Sequence, residues 1–374
     1  MKNFVSGNRI QQEFYKSFQP EKINRPFRID DGELISLLSL ADRHLGRLDM
    51  YSEYVPNIDM FIRMHVYKEA TSSSRIEGTQ TNIEEALQDK DDIVLDKRDD
   101  WEEVQNYVKA MNQAIGMLDT LPFSTRLIRE THRILLDGVR GKEKEPGEFR
   151  RSQNWIGGHS INEATFIPPV YSSIPDLMSD IEFFAHNDEL YVPELLKIAL
   201  IHYQFETIHP FLDGNGRTGR LMITLYLVSK GILKKPVLYL SDYFERHRAL
   251  YYDHLMLVRE KNDLNRWFKF FLSGVIETAK NSIATFDNIL KLKKETDVRL
   301  QTLGRRFANA SKVVQYLYQK PYVDALDVKN LAGITGTSAY KLLEDLEKIG
   351  ILEEITGHKR GRLYIFRAYM ELFR

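Results

Sequence analysis

The stretch His209-Pro210-Phe211-Leu212-Asp213-Gly214-Asn215-Gly216-Arg217-Thr218-Gly219-Arg220 sets a proton acceptor, a carboxylate, a glycine turn and two arginines within twelve residues. Gly214-Asn215-Gly216 ahead of a helical run lets the backbone turn tightly. The unpaired N–H groups of the helix start then face an anion, which the helix dipole also favours. Arg217 and Arg220 are three apart and share one helix face, so both guanidiniums can reach one polyphosphate. Asp213 offers a hard oxygen ligand to the Mg2+ that nucleotide phosphates carry. His209 can accept the proton of an attacking hydroxyl at neutral pH. Each piece alone is a common structural feature. No ordinary structural need produces their joint order, which points to chemistry on a nucleotide phosphate.

The elements that must position these residues read as mainly helical. A leucine stripe at positions 34, 37, 38 and 45 predicts a first helix after an irregular lead-in of about 30 residues. A second helix spans about Asp59 to Ile76 and stops at Gly78, and Thr81 with Glu84 has the form of a capping box for a short third helix. Asp100 opens a helix with the stripe Val104, Val108, Met111, Ile115, and Ser124 caps another. Residues 141–169 are unhelical and glycine-rich, with two β-prone runs that predict a small hairpin. Helices resume at Pro175–His186 and Pro193–Thr207, and the motif's second half opens one through Val228. Asn265 to about Leu300 reads as one long helix or a bent pair. Residues 311–319, 326–331 and 338–349 predict three short helices, followed by two strands around a turn at 357–361, the order of a winged helix-turn-helix.

Length and composition allow this organisation. The chain has 374 residues, 43% hydrophobic and 28% charged, enough for two or three cores. Its net charge of −1 confines any nucleic-acid contact to a local patch. There is no cysteine, which excludes disulfides, thiolate metal sites and a cysteine nucleophile and fits a reducing compartment. No signal peptide or membrane span is expected, so the expectation is a cytoplasmic protein without membrane partners.

Position by position, residues 209–220 resemble the Fic-family signature HPFx[D/E]GNGRxxR. The resemblance implies a protein adenylyltransferase that transfers AMP from ATP to a hydroxyl side chain of a target protein, or of itself, and releases pyrophosphate. His209 is then the general base, Asp213 the Mg2+ ligand, and Gly214, Asn215 and Gly216 the binders of the α- and β-phosphates. Arg217 contacts the phosphates and Arg220 the γ-phosphate. Two further segments are similar to family parts. Ile156-Gly157-Gly158 with Thr165-Phe166-Ile167 looks like the flap that clamps a target by strand addition. Tyr251-Tyr252 matches an aromatic pair lining the adenine site, while a downstream asparagine of some relatives is Arg259 here.

Ser73-Ser74-Arg75-Ile76-Glu77-Gly78 resembles the inhibitory-helix pattern [S/T]xxxE[G/N] of the subclass in which that helix precedes the core. A carboxylate at Glu77 paired with Arg220 would keep the arginine from orienting the γ-phosphate, and Ser73 lies one helical turn before it. The expected division is an N-terminal helical region at 1–98 with the inhibitory helix at about 59–78, a Fic catalytic domain at 99–300, and a winged helix-turn-helix at 301–374. From Gly304 onward there are 12 Lys and Arg against 8 Asp and Glu, a modest surplus for DNA binding. Glu344, Asp345 and Glu347 on its recognition helix face phosphates badly. Homo-oligomerisation, protein contacts and DNA contacts stay open, as do a nucleotide-sensing DNA-binding regulator, removal of AMP, and transfer of another nucleotide such as UMP.

Overall fold

The computed structural model describes residues 4–55, 58–138, 142–358 and 361–373. The expected irregular lead-in is instead a hairpin of β1 (Gly7–Gln11) and β2 (Lys16–Pro20), paired from Gly7↔Pro20 to Gln11↔Lys16. Its own apolar alternation is slight, and long-range partners hold it. Ser6 donates its N–H to Asn262 Oδ1 (2.7 Å), and Phe18 donates its N–H to the Ile167 carbonyl (2.9 Å).

Helix α1 (Gly32–Tyr54), capped by Asp31, lies along α11 (Leu264–Gln301), which is one continuous helix. Helix α2 (Ile58–Ile76) is buried on nearly every side, which its small polar run Thr71-Ser72-Ser73-Ser74 permits. Glu69 anchors it, accepting from the Tyr107 hydroxyl (3.0 Å) and from the Ser241 N–H (3.0 Å) and hydroxyl (2.6 Å). A capping box begins α3 (Ile83–Ala86), but it is formed by Asn82 and Glu85, one residue beyond the expected pair. Thr81 is buried there instead of capping. Helices α4 (Arg98–Met117) and α5 (Thr125–Leu135) pack together, with Ser124 capping the second as expected.

The centre is α6 (Ile174–His186), α7 (Glu194–Ile208) and α8 (Asn215–Ser229). Nearly all of α7 and α8 is buried, so their six-residue connection is held from several sides. Beyond it come α9 (Ser241–Arg246) and α10 (Arg248–Lys261).

The C-terminal module contains α12 (Phe307–Leu317), β3 (Tyr322–Val323), α13 (Ala325–Ala332), α14 (Gly336–Lys348), β4 (Glu353–Glu354) and β5 (Tyr364–Ile365), ending in α15 (Arg367–Met370). Two strands were expected. A third, β3, completes an antiparallel sheet of order β3–β5–β4, and the basic turn at 359–360 lies outside the described residues. The module is not a free appendage. Tyr318 meets Phe61 of α2 edge-on (5.5 Å), and Phe373 meets His65 of α2 (5.1 Å). No helix among the described residues is long and apolar enough to cross a membrane.

Candidate active site

Helix α7 ends on His209, whose backbone is left-handed (φ 50°, ψ 61°), an uncommon state for a residue with a Cβ. The surroundings enforce it. His209 N–H still bonds the Phe205 carbonyl (2.9 Å), and the His209 carbonyl accepts from Arg150 Nε (3.0 Å) and Asn154 Nδ2 (3.3 Å). Arg150 is itself buried and donates to the Pro169, Ser152 and Ile208 carbonyls, so one guanidinium ties the hairpin region to the end of α7. Burial lowers its pKa to about 10, well above neutrality. Burial first, and then the Arg259 charge, pushes the His209 pKa down to about 4, so the imidazole is neutral at pH 7. Its Nδ1 is buried with no partner.

The loop after His209 is built around Phe211. Its ring stacks on His132 (3.7 Å between centroids, 6° between planes), and its N–H and C=O are both satisfied by the Asn215 side chain (2.9 and 2.8 Å). The Asn215 amide therefore closes the loop. His132 Nδ1 accepts the Gly147 N–H (2.8 Å), so its proton is on Nε2, which donates to the Asp213 carbonyl (2.9 Å). Gly214 is the left-handed N-cap of α8 (φ 71°), and a Cβ there would press on Leu136 and His132. Asp213 Oδ1 accepts the Gly214 N–H (2.6 Å), while its side chain stays 46% exposed at the mouth of the turn.

The two arginines of the motif are both buried and both already paired. Arg217 Nη1 donates to Glu103 of α4 (2.9 Å), and its Nη2 lies 3.8 Å from Asp213. Arg220 Nη2 donates to Glu77 Oε1 (2.6 Å) and to the Ser73 carbonyl (2.9 Å), and its Nε donates to Ser73 Oγ (2.9 Å). Burial works against the Arg220 charge, yet Glu77 beside it holds the pKa above the usual guanidinium value. Glu77 also reaches the helix start, for a Cβ placed on Gly216 would be 2.2 Å from its Oε1. A carboxylate thus lies against the first turn of α8.

Tyr251 and Tyr252 separate. Tyr251 is 1% exposed and spends its hydroxyl on His202 Nε2 (2.8 Å), whereas Tyr252 is 38% exposed with the Arg248 guanidinium 5.9 Å over its ring. Arg259 is absorbed by the structure, bonding Thr207 Oγ1 and the Glu206 carbonyl and lying 4.0 Å over the Phe166 ring. In the flap region only Ile156 and Phe166 pair, as an isolated antiparallel bridge. Gly157 and Gly158 turn with φ 72°, where a Cβ would strike Thr165 and the Glu163 carbonyl. Ile167 hands its outward carbonyl to Phe18, so one edge of this hairpin is already covered by β2. Sequence reasoning missed Arg150, Asn154, His132 and Glu103, whose partners lie 55 to 114 residues away.

Fold and site together define a helical protein in which a glycine turn opens a buried helix, with a buried neutral histidine before the turn and Glu77 paired to Arg220 within that helix. Residues 35–116 match the Fic/DOC family N-terminal model and residues 122–227 the Fic/DOC family model. The chain belongs to the Fic/DOC family. It is 35% identical over 144 residues to the protein adenylyltransferase Fic of Aedes aegypti, covering 38% of this chain and 26% of that one. The Culex quinquefasciatus protein of the same name is 35% identical over 142 residues, with 38% and 25% covered. The matched part thus spans about a quarter of these curated relatives. Among solved structures, a Fic family protein from Desulfovibrio desulfuricans superposes over 91% of this chain and 98% of its own (TM-score 0.58, 18% identity). Fic-1 from C. elegans superposes over 70% of this chain and 75% of its own (TM-score 0.51, 20% identity). Those likenesses carry the fold.

Proposed function

We propose that the chain transfers AMP from ATP to a hydroxyl side chain of a protein, under restraint by Glu77. The observation that carries this reading is the placing of a neutral imidazole beside an N–H cradle whose anion position is filled by a side chain of the same chain. His209 takes the proton of the target hydroxyl as its oxygen forms a bond to the α-phosphorus, and the bond to the bridging oxygen of pyrophosphate breaks. Little covalent chemistry falls to the protein, so positioning and charge neutralisation supply most of the rate. The N–H groups of α8 at Gly214 to Gly216 receive the phosphates, with Arg217 and Arg220 beside them, while Tyr252 offers a ring face to the base. Arg150 acts through His209 by holding its backbone.

Asp213 fits Mg2+ brought in on the nucleotide. Its carboxylate is half exposed beside the cradle, and no group of three or more metal-ligating side chains occurs among the described residues, which suits an ion that takes one carboxylate and completes its shell from phosphates and water. When bound it would neutralise developing charge on the phosphates.

The restraint supposes that Glu77, held on α2 with Ser73, occupies Arg220 and the cradle so that the γ-phosphate cannot. The region 1–98 would carry the restraint, 99–300 the transfer, and 301–374 a winged helix-turn-helix suited to protein contacts, because Glu344 and Glu347 are exposed on α14. Mass spectrometry of a cell lysate incubated with ATP and the Glu77→Gly variant tests the reading. Proteins gaining the mass of AMP, absent with Glu77→Gly/His209→Ala, are the expected result. No AMP adduct on any protein, the chain itself included, would refute it.

A further inference from the structure

Helix α2 does more at Arg220 than present Glu77. Its last turn tightens, with the Glu77 N–H closing on the Ser74 carbonyl (3.0 Å), and the Ser73 carbonyl is met by Arg220 Nη2 (2.9 Å). A carbonyl at a helix C-terminus needs a donor from outside the helix, and the dipole there favours a cation. Ser73 Oγ accepts from Arg220 Nε (2.9 Å), so one residue binds two nitrogens of the guanidinium. Neither bond involves Glu77, which reaches Nη2 separately (2.6 Å). The third nitrogen faces α8: a Cβ on Gly216 would stand 2.9 Å from Arg220 Nη1 and 2.2 Å from Glu77 Oε1. The guanidinium is thus gripped on its α2 side and turned toward the first turn of α8, where the Glu77 carboxylate now lies.

Ser73 is fixed in its turn. It is 0% exposed and follows Glu69 by one helical turn on the same face of α2. Glu69, itself 2% exposed, accepts from the Tyr107 hydroxyl of α4 and from the N–H and hydroxyl of Ser241 at the start of α9. Those three donors satisfy the buried carboxylate and hold α2 against both helices, whatever Glu77 does. A loose arginine side chain loses rotamer freedom each time it meets a phosphate, whereas this one is already ordered.

We propose that Ser73 is a positioning residue for Arg220 in the released enzyme, so that the end of α2 is part of the ATP site and not only its restraint. When Glu77 withdraws, both Ser73 bonds stay, and the guanidinium keeps its orientation toward the side on which a γ-phosphate oxygen replaces the carboxylate. The inference rests on the proposed transfer from ATP with Arg220 at the γ-phosphate. It has the opposite sign to a role for Ser73 in restraint alone, under which losing the Ser73 hydroxyl could only raise activity once Glu77 is gone or leave it unchanged.

The test uses the full chain carrying Glu77→Gly, alone and with Ser73→Ala, titrated calorimetrically in Mg2+ with α,β-methylene ATP and with ADP. Ser73→Ala removes one buried oxygen and leaves the Ser73 carbonyl on Arg220. The ATP analogue should bind about five- to tenfold more weakly, the scale of one hydrogen bond to a charged group, while ADP, which has no γ-phosphate, changes by less than about twofold. Initial rates of AMP transfer to the chain's own hydroxyls at low ATP should fall in step. Unchanged analogue binding, an equal loss for ADP, or transfer faster than in Glu77→Gly alone overturns the proposal. Arg220→Ala in the same background separates the two levels of the argument. If it leaves the preference for the ATP analogue over ADP unaltered, Arg220 does not read the γ-phosphate and the underlying reading falls as well. If it abolishes that preference while Ser73→Ala does not reduce it, this inference alone falls.

Discussion

Replacing Glu77 by glycine removes one oxygen at 2.6 Å from a buried guanidinium and leaves the two Ser73 bonds to Arg220 in place. A hydrogen bond to a charged group contributes about 1.5–3 kcal/mol, and the Glu77 side chain is 35% exposed, so water screening favours the lower end, about 1.5–2 kcal/mol. At about 1.4 kcal/mol for each factor of ten, the freed Arg220 should raise the transfer rate roughly 10- to 30-fold. Glu77→Gln keeps an acceptor but not the charge, and should give about a third of that gain on the same scale. Ser73→Ala removes only the bond to Nε and should gain less than Glu77→Gly. The assay is the initial rate of AMP transfer with ATP varied, on purified chain with its own hydroxyls as acceptors. Arg220→Ala in the Glu77→Gly background should abolish the gain, because the arginine is what the glutamate withholds. An unchanged rate in Glu77→Gly, or a gain that survives Arg220→Ala, would refute the reasoning.

The same geometry sets three further expectations. Gly216 has ordinary helical backbone, so Gly216→Ala in the Glu77→Gly background acts sterically at the position Glu77 Oε1 occupies, 2.2 Å from the new Cβ. The KM for ATP should rise about tenfold or more with the melting temperature nearly unchanged, and an unaltered KM would remove the cradle from the nucleotide site. Arg150→Lys cannot reproduce the fork that reaches the Ser152, Pro169, Ile208 and His209 carbonyls. It should cost on the order of 2–3 kcal/mol in urea unfolding and lower kcat more than it raises KM. Equal stability would show that the left-handed His209 needs no such anchor. His65, His132 and His202 are buried neutral, with pKa values pushed down by burial to about 3, 4 and 3, against 6.5 for ordinary histidine. Their stabilisation is fully present above pH 6.5 and is lost as pH falls toward 4, by up to about 1.4 kcal/mol per pH unit for each group. The urea midpoint should therefore be lower at pH 5 than at pH 7.5, and equal midpoints would contradict the buried neutral assignment.

What the sequence disclosed and what it withheld divide along the range of the forces involved. The helices around the site follow from spacing and caps a few residues long, which is why α5, α6, α7, α8 and α11 lie close to where periodicity puts them. The one-residue shift at α3 has a similar short-range cause: Asn82 and Glu85 meet the capping geometry, while Thr81 is drawn into the interior. The lead-in hairpin has no such local signature. Its β2 strand is fixed by Phe18 bonding Ile167 and lying against Phe166, about 150 residues along the chain.

The motif behaves in both ways at once. Its glycine turn and helix start are local and legible, but the states of its side chains are settled from outside it. Asn215 turns inward because Phe211, stacked on His132, leaves a backbone N–H and C=O to satisfy. His209 stays left-handed because Arg150 and Asn154 hold its carbonyl. Arg217 and Arg220 were legible as free cations on one face, and each is met by an acid from another helix or its end, Glu103 from α4 and Glu77 after α2. For Glu77 a short pattern 143 residues before Arg220 announced the partner, whereas Glu103 stands within an ordinary charged helix face.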